Sequence, residues 1–286
     1  MRREEASRLE LCCSSPEGSV DPWNYRSQRA LRRGRKRGAV SAGGVMPTFR
    51  FMPFAILLGI LGFLCVAFTG FWAQHWRGGF AWDGTAKMFN WHPLLMVTGM
   101  VVLYGAAVLV YRVPISWAGP KLPWKLLHAA LTLVAFILVV LGLVAVFSFH
   151  NHQRTANMYS LHSWLGLVAV LVFSCQWFMG FAAFLLPWAP AWLPISYKPI
   201  HVFFGTTLLA LAMAASISGI NEKLFFSLNS SNQTIRYDRL PPEAWFANFL
   251  GMLILVFGLS VLWALATPAW KRPDPDSLEA RQPLLH

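Results

Sequence analysis

Residues 126–153 read LLHAALTLVAFILVVLGLVAVFSFHNHQ, without one Asp, Glu, Lys or Arg. A helix needs about 20 apolar residues to cross the hydrocarbon of a bilayer, and this run exceeds that. Runs free of the same four residue types also lie at 51–76, 88–111, 155–197, 199–221 and 244–270. The run 155–197 is too long for one span. Pro187, Pro190 and Pro194 cannot continue a helix, which places that span at about Ser160–Leu186. Trimmed for polar ends, the set predicts six helices of about 20–25 residues. Open sheets leave backbone groups unsatisfied in lipid, and the runs lack the alternation of a barrel. The fold class is therefore all-α, a six-span transmembrane helical bundle.

Composition agrees. The 286-residue chain is 56% hydrophobic, 15% aromatic and only 13% charged, where a soluble domain carries roughly 25% charged residues. A disordered chain, a disulfide scaffold and a soluble enzyme are excluded on these numbers. The net charge of +12 does not indicate nucleic acid, because a basic patch needs a polar face to sit on. The partner implied at this level is membrane lipid. Cys12, Cys13, Cys65 and Cys175 are too scattered for a disulfide framework or a zinc site.

Basic residues set the orientation. Arg112, Lys121, Lys125, Lys198, Lys271 and Arg272 all fall on one side, with the Arg-rich segment before the first span, and its short loops hold no acid. The other side mixes Asp83, Glu222, Asp238 and Glu243 with basic residues and carries two glycosylation sequons, at Asn229 and Asn232. The prediction is that both termini are cytosolic. Residues 1–45 hold ten basic and five acidic residues and read as a basic, disordered cytosolic extension, with a lipid-binding segment as the rival reading. The spanning domain then covers 46–270, and 271–286 form a cytosolic tail.

Histidine is distributed in a way that points to chemistry. His92, His128, His162 and His201 fall one each in spans two to five. Ionisable groups inside a membrane helix are expensive and mostly functional. Alternating helix directions sort them by depth: His92 with His162 near the lumenal face, His128 with His201 near the cytosolic face. Two imidazoles at matched depth on neighbouring helices suit the two axial positions of a haem iron, leaving no vacancy for oxygen. A bare metal site would call for carboxylate or thiolate partners, and these spans hold no carboxylate. Gly166 and Gly205, each four residues after a histidine, and Gly99, seven after His92, leave room for a flat ligand. Pairs set about one turn inside each face put the irons about 20 Å apart along the normal, which predicts relayed electron transfer across the membrane.

Several strings resemble the cytochrome b561 family of ascorbate-dependent transmembrane di-haem proteins, and most of all its lysosomal or late-endosomal member. They are Phe89-Asn90-Trp91-His92-Pro93, Leu109-Val110-Tyr111-Arg112, Lys125-Leu126-Leu127-His128, Tyr159-Ser160-Leu161-His162-Ser163-Trp164 and Lys198-Pro199-Ile200-His201. The likeness covers about residues 50–273. It implies two b haems held by the central four helices, with ascorbate as cytosolic donor and ferric iron or monodehydroascorbate as lumenal acceptor. The chain would then be a ferric reductase or monodehydroascorbate reductase. By the same resemblance, Lys121, Lys125 and Arg112 bind ascorbate or the cytosolic haem; Asn157, Met158, Tyr159, Ser160 and Glu222 contact the lumenal haem; Phe149 and His150 form the acceptor site, with His152 beside them. It further implies a homodimer in the late-endosomal or lysosomal membrane. Pro114 and Ile115 replace an aromatic–arginine pair common in relatives, and only Lys198 precedes His201, so the cationic cradle is thinner. Pro283-Leu284-Leu285 resembles a dileucine sorting signal, with Ala280 where an acid is expected. The competing reading is a histidine-lined transporter of protons or metal ions, which would need buried carboxylates and repeat symmetry.

Overall fold

The computed structural model describes residues 46–117, 119–229 and 236–272. The extension 1–45, the Asn232 sequon position and the dileucine-like tail lie outside the described residues. Six helices are long and apolar enough to cross a membrane: span one Phe51–Trp76, span two Ala86–Arg112, span three Leu122–His152, span four Leu161–Phe184, span five Trp192–Leu228 and span six Pro242–Ala266. Their outward faces carry large apolar side chains such as Ile56, Phe63, Ile137, Leu171, Phe178, Phe203 and Trp263. A helix apolar on all sides belongs in hydrocarbon.

Local chemistry sets the helix ends. Ser160 caps span four, its hydroxyl accepting from the Ser163 N–H at 3.2 Å, as a side-chain oxygen does for an otherwise unpaired donor. Span six opens on Pro242, where a missing N–H costs nothing. Span five is longer than the 199–221 predicted. Pro194 falls within its first turn, and Pro199 is carried inside the helix, so neither proline stops it; each removes a single donor. His201 consequently lies more than two turns from the helix start instead of at it.

Span two is not a uniform helix. A short turn, Ala86–Phe89, leads into Trp91–Met96; Val97–Leu103 is π-helical, Tyr104–Leu109 returns to α, and Val110–Arg112 tightens to 3-10. The π turn admits an extra residue, and such insertions occur mostly at functional sites. It brings Gly99 so near span three that a Cβ there would meet the Ala135 carbonyl oxygen at 2.9 Å.

Lipid is as apolar as leucine, so the helices are held by close packing and by hydrogen bonds between spans. Spans one, two and six form a core of Phe51, Cys65, Val101, Ile254 and Val261, all almost fully buried. Gly62 and Gly105 lie against the Phe257 ring, and Gly258 against Met213. Tyr104 Oη donates to the Gly205 carbonyl at 2.8 Å, tying span two to span five. Trp177 Nε1 donates to Ala129 O at 3.3 Å, tying span four to span three.

Candidate functional site

The four histidines of spans two to five meet in two pairs. His92 faces His162 with ring centroids 6.1 Å apart and planes at 87°. His128 faces His201 at 6.2 Å and 75°. In three of the four, Nδ1 points at a main-chain carbonyl of another helix: His92 to Gly142 at 3.1 Å, His128 to Ala107 at 2.8 Å and His162 to Ala215 at 2.8 Å. A carbonyl only accepts, so Nδ1 carries the proton and Nε2 keeps its lone pair for a metal. His201 Nδ1 is buried without a hydrogen-bond partner. Its ring is held by Phe184 at 5.3 Å and Tyr197 at 5.6 Å.

Two imidazoles on one iron, at about 2 Å per metal–nitrogen bond and about 1 Å more to each ring centre, stand about 6 Å apart between centres. Both pairs have that separation, and near-perpendicular planes are open to trans ligands. Glycines clear the space behind the rings. A Cβ at Gly219 would meet His162 Cε1 at 2.6 Å, and one at Gly180 would meet His201 Cε1 at 2.9 Å. Nothing lies within 4 Å of a Cβ built on Gly166. Gly205 instead serves helix packing, its carbonyl taken by Tyr104. Among the described residues no group of three or more His, Cys, Asp or Glu is disposed to hold a bare metal ion. The donor sets fit two haems.

At the Arg112 end the cations meet helix carbonyls. Arg112 donates to Leu265 O and, at 3.1 Å, to Thr267 O, closing the end of span six. Lys125 Nζ donates to Phe184 O at 3.1 Å at the end of span four. Arg272 donates to Ser116 O, and to Gly119 O at 3.3 Å. Spans two, four and six all finish here, and their unpaired carbonyls attract positive charge. Lys121 and Lys198 remain exposed.

At the opposite end His150 Nδ1 lies 3.1 Å from Asn157 Oδ1, while Asn157 Nδ2 donates to Asn151 Oδ1 at 2.9 Å. The connecting loop holds Arg154 and Met158 at φ 54° and 59°, a left-handed conformation costly for residues with a Cβ. Tyr159 is exposed, and desolvation, with a smaller contribution from the Glu222 charge, pushes its hydroxyl pKa up. Phe149 packs on Phe89 at 5.4 Å, and Phe89 on His92 at 6.1 Å, so the His150 loop is linked to the His92–His162 pair by aromatic contact.

Residues 91–227 match the family model described as eukaryotic cytochrome b561. The chain is 64% identical over 241 residues to the human lysosomal membrane ascorbate-dependent ferrireductase CYB561A3, covering 84% of this chain and 99% of that one. It belongs to the cytochrome b561 family. The mouse protein of the same name is 63% identical over 231 residues, 81% of this chain and 95% of its own. The plasma membrane ascorbate-dependent reductase CYBRD1 of Xenopus tropicalis is 45% identical over 233 residues, 82% of this chain and 81% of its own. The matched segment of this b561 chain contains all four paired histidines, together with Arg112, Lys121, Lys125, His150 and Glu222.

Outside that segment the b561 chain has a charged cluster that sequence reasoning missed. Arg77, just past span one, pairs with Glu243 at the start of span six, and Glu243 Oε1 also accepts from Trp72 Nε1 at 2.7 Å. Burial lowers the Arg77 guanidinium to about 10, which leaves it charged at neutral pH. Asn90 Nδ2 donates to the Arg77 and Gly79 carbonyls at 3.0 and 2.6 Å, fixing the turn before His92. The partners are 166 residues apart, and nothing in the local pattern of either reveals the other. Removing one partner of a buried pair strands a charge, so Glu243→Ala is expected to cost about 3–5 kcal/mol, read as earlier thermal unfolding in detergent.

Proposed function

We propose that this b561 chain is a transmembrane ascorbate-dependent ferrireductase. Ascorbate at the Arg112 end is the donor and ferric iron at the His150 end the acceptor; His128 with His201 and His92 with His162 would each hold a haem b between them. The observation that carries it is the pair of facing imidazoles near each end of the same four helices. The names of the human and mouse relatives agree with the donor, the acceptor and a lysosomal membrane. Haem held by the paired imidazoles would supply one-electron Fe(III)/Fe(II) chemistry, which suits electron transfer.

The chain's own residues do the rest. Carbonyls of Gly142, Ala107 and Ala215 hold three ligand rings in one tautomer. Lys121, exposed at the head of span three, and Lys198, exposed on span five, offer ammonium groups to an anionic donor. Arg112 and Lys125 place positive charge at the same end while closing helix termini. At the far end His150 and His152 lie in the last turn of span three, where the helix dipole favours a cation, so they suit capture of ferric iron; monodehydroascorbate is the second acceptor. Both termini would be cytosolic, with Asn229, exposed at the end of span five, on the lumenal side as a glycosylation site. The protein would function as a homodimer.

An absorption spectrum of the purified protein before and after ascorbate tests this. Two haems per chain, both reduced by ascorbate and reoxidised by ferric iron, are expected. A chain without a Soret band, or with one haem, sinks the reading and leaves the histidine-lined transporter. Lys121→Ala is expected to raise the KM for ascorbate about fivefold with kcat nearly unchanged; steady-state reduction at varied ascorbate shows it.

A further inference from the structure

One group of charges at the His150 end takes no part in the proposed binding steps. Lys223, on span five, holds its ammonium over the face of Phe89 at 4.0 Å. Phe89 lies 6.1 Å from the His92 ring, so the ammonium is within about 10 Å of that ring. Lys223 and Arg77 line one cavity with Trp72, Phe89, Asn90 and Pro93, directly behind the turn that carries His92. Arg77 Nε is buried there without a hydrogen-bond partner. Among the described residues the Arg77–Glu243 contact is the only ion pair, so Lys223 has no carboxylate within ion-pair distance and the group holds two cations to one acid. Glu222, the neighbour of Lys223 in sequence, has its charge felt at Tyr159.

The cavity is ≈ 10 Å³, about one water. It has no room for an organic anion, so the surplus positive charge is not there to bind substrate. A charge buried within about 10 Å of a ligand ring acts through a medium of low dielectric on the group that ring would hold. Adding an electron is favoured by a nearby cation.

We propose that Lys223, with Arg77 and Glu243, forms a charge cluster that raises the reduction potential of the haem held by His92 and His162. A higher potential at that site would favour electron transfer toward the His92–His162 end. Lys223 is thus a positioning residue for the electron, acting through the field and not by touching substrate. This rests on the two-haem reading above.

The test is a redox titration of the full-length holoprotein in detergent, following both haems by absorbance. The haem missing from His92→Ala identifies which potential belongs to the His92–His162 site. Lys223→Met is expected to lower that potential by up to about 59 mV, a tenfold change for one electron, and to leave the other haem nearly unmoved. Glu243→Gln removes the negative member and is expected to raise it. Lys223→Arg keeps the charge and is expected to leave it near wild type. Opposite signs from the first two variants, with two haems retained, support the field effect, because mere loosening of the site moves both the same way. Shifts of the same sign, or none, overturn it. If one variant fails to hold both haems, the sign in the other decides. A wild-type chain with fewer than two haems would instead overturn the reading on which the inference stands.

Discussion

His162→Ala leaves one haem per chain where two are expected, and ascorbate-driven ferric reduction falls by at least about 100-fold. The ring of His162 faces His92 at 6.1 Å and donates through Nδ1 to the Ala215 carbonyl. Alanine removes the proposed metal ligand, while the second pair, His128 with His201, sits on other turns and keeps its own contacts. His92→Ala acts on the same site and gives the same result. The measurement is haem content by pyridine haemochrome together with ferric reduction in vesicles. Retention of both haems in either variant means that the pairs are wrongly drawn.

Gly219→Ala is the second large effect, and it adds one methyl group. Its Cβ would stand 2.6 Å from His162 Cε1 and 2.8 Å from Nδ1. Real Cβ contacts do not come that close, so the ring must turn away. Turning breaks the Nδ1–H bond to Ala215 and moves Nε2 off the axis shared with His92. The expected outcome is loss of most haem from that site, close to the His162→Ala phenotype, with helix content unchanged by circular dichroism. Gly59 has nothing within 4 Å of a built Cβ. Gly59→Ala is therefore the control, with haem content as in the wild type. Equal haem in both variants would show that the glycine does not shape the ligand.

These two predictions also mark where the sequence could and could not be read. Apolar runs without charge locate the six spans, because lipid imposes one simple requirement on every residue of a helix. The histidines could be matched by depth, because helix direction alternates at each crossing. The glycines could not be read the same way. Spacing of four along one helix singles out Gly166 and Gly205, but Gly219 and Gly180 act on rings carried by the neighbouring helix, and contact between helices has no period in either. The early start of span five escaped for a related reason. A proline reads as a stop, yet Pro194 lies in a first turn and Pro199 is tolerated within the helix. The π turn of span two has no compositional mark at all. Arg112 and Lys125 read as cations for ascorbate or the cytosolic haem, and only the folded chain shows them donating to the carbonyl ends of spans six and four.

Three of the four paired rings are oriented by Gly142, Ala107 and Ala215 through main-chain oxygens. Every amino acid possesses that oxygen. The tautomer of those rings is therefore insulated from most point substitutions at the partner positions, since exchanging the side chain leaves the acceptor in place. Side chains at the carbonyl-bearing positions are free to drift where they fit between the helices, whereas Gly180 and Gly219, which lie against the rings themselves, are not. What the fold protects is an alignment of backbones, and that is inherited with the helix pair, not with any one residue.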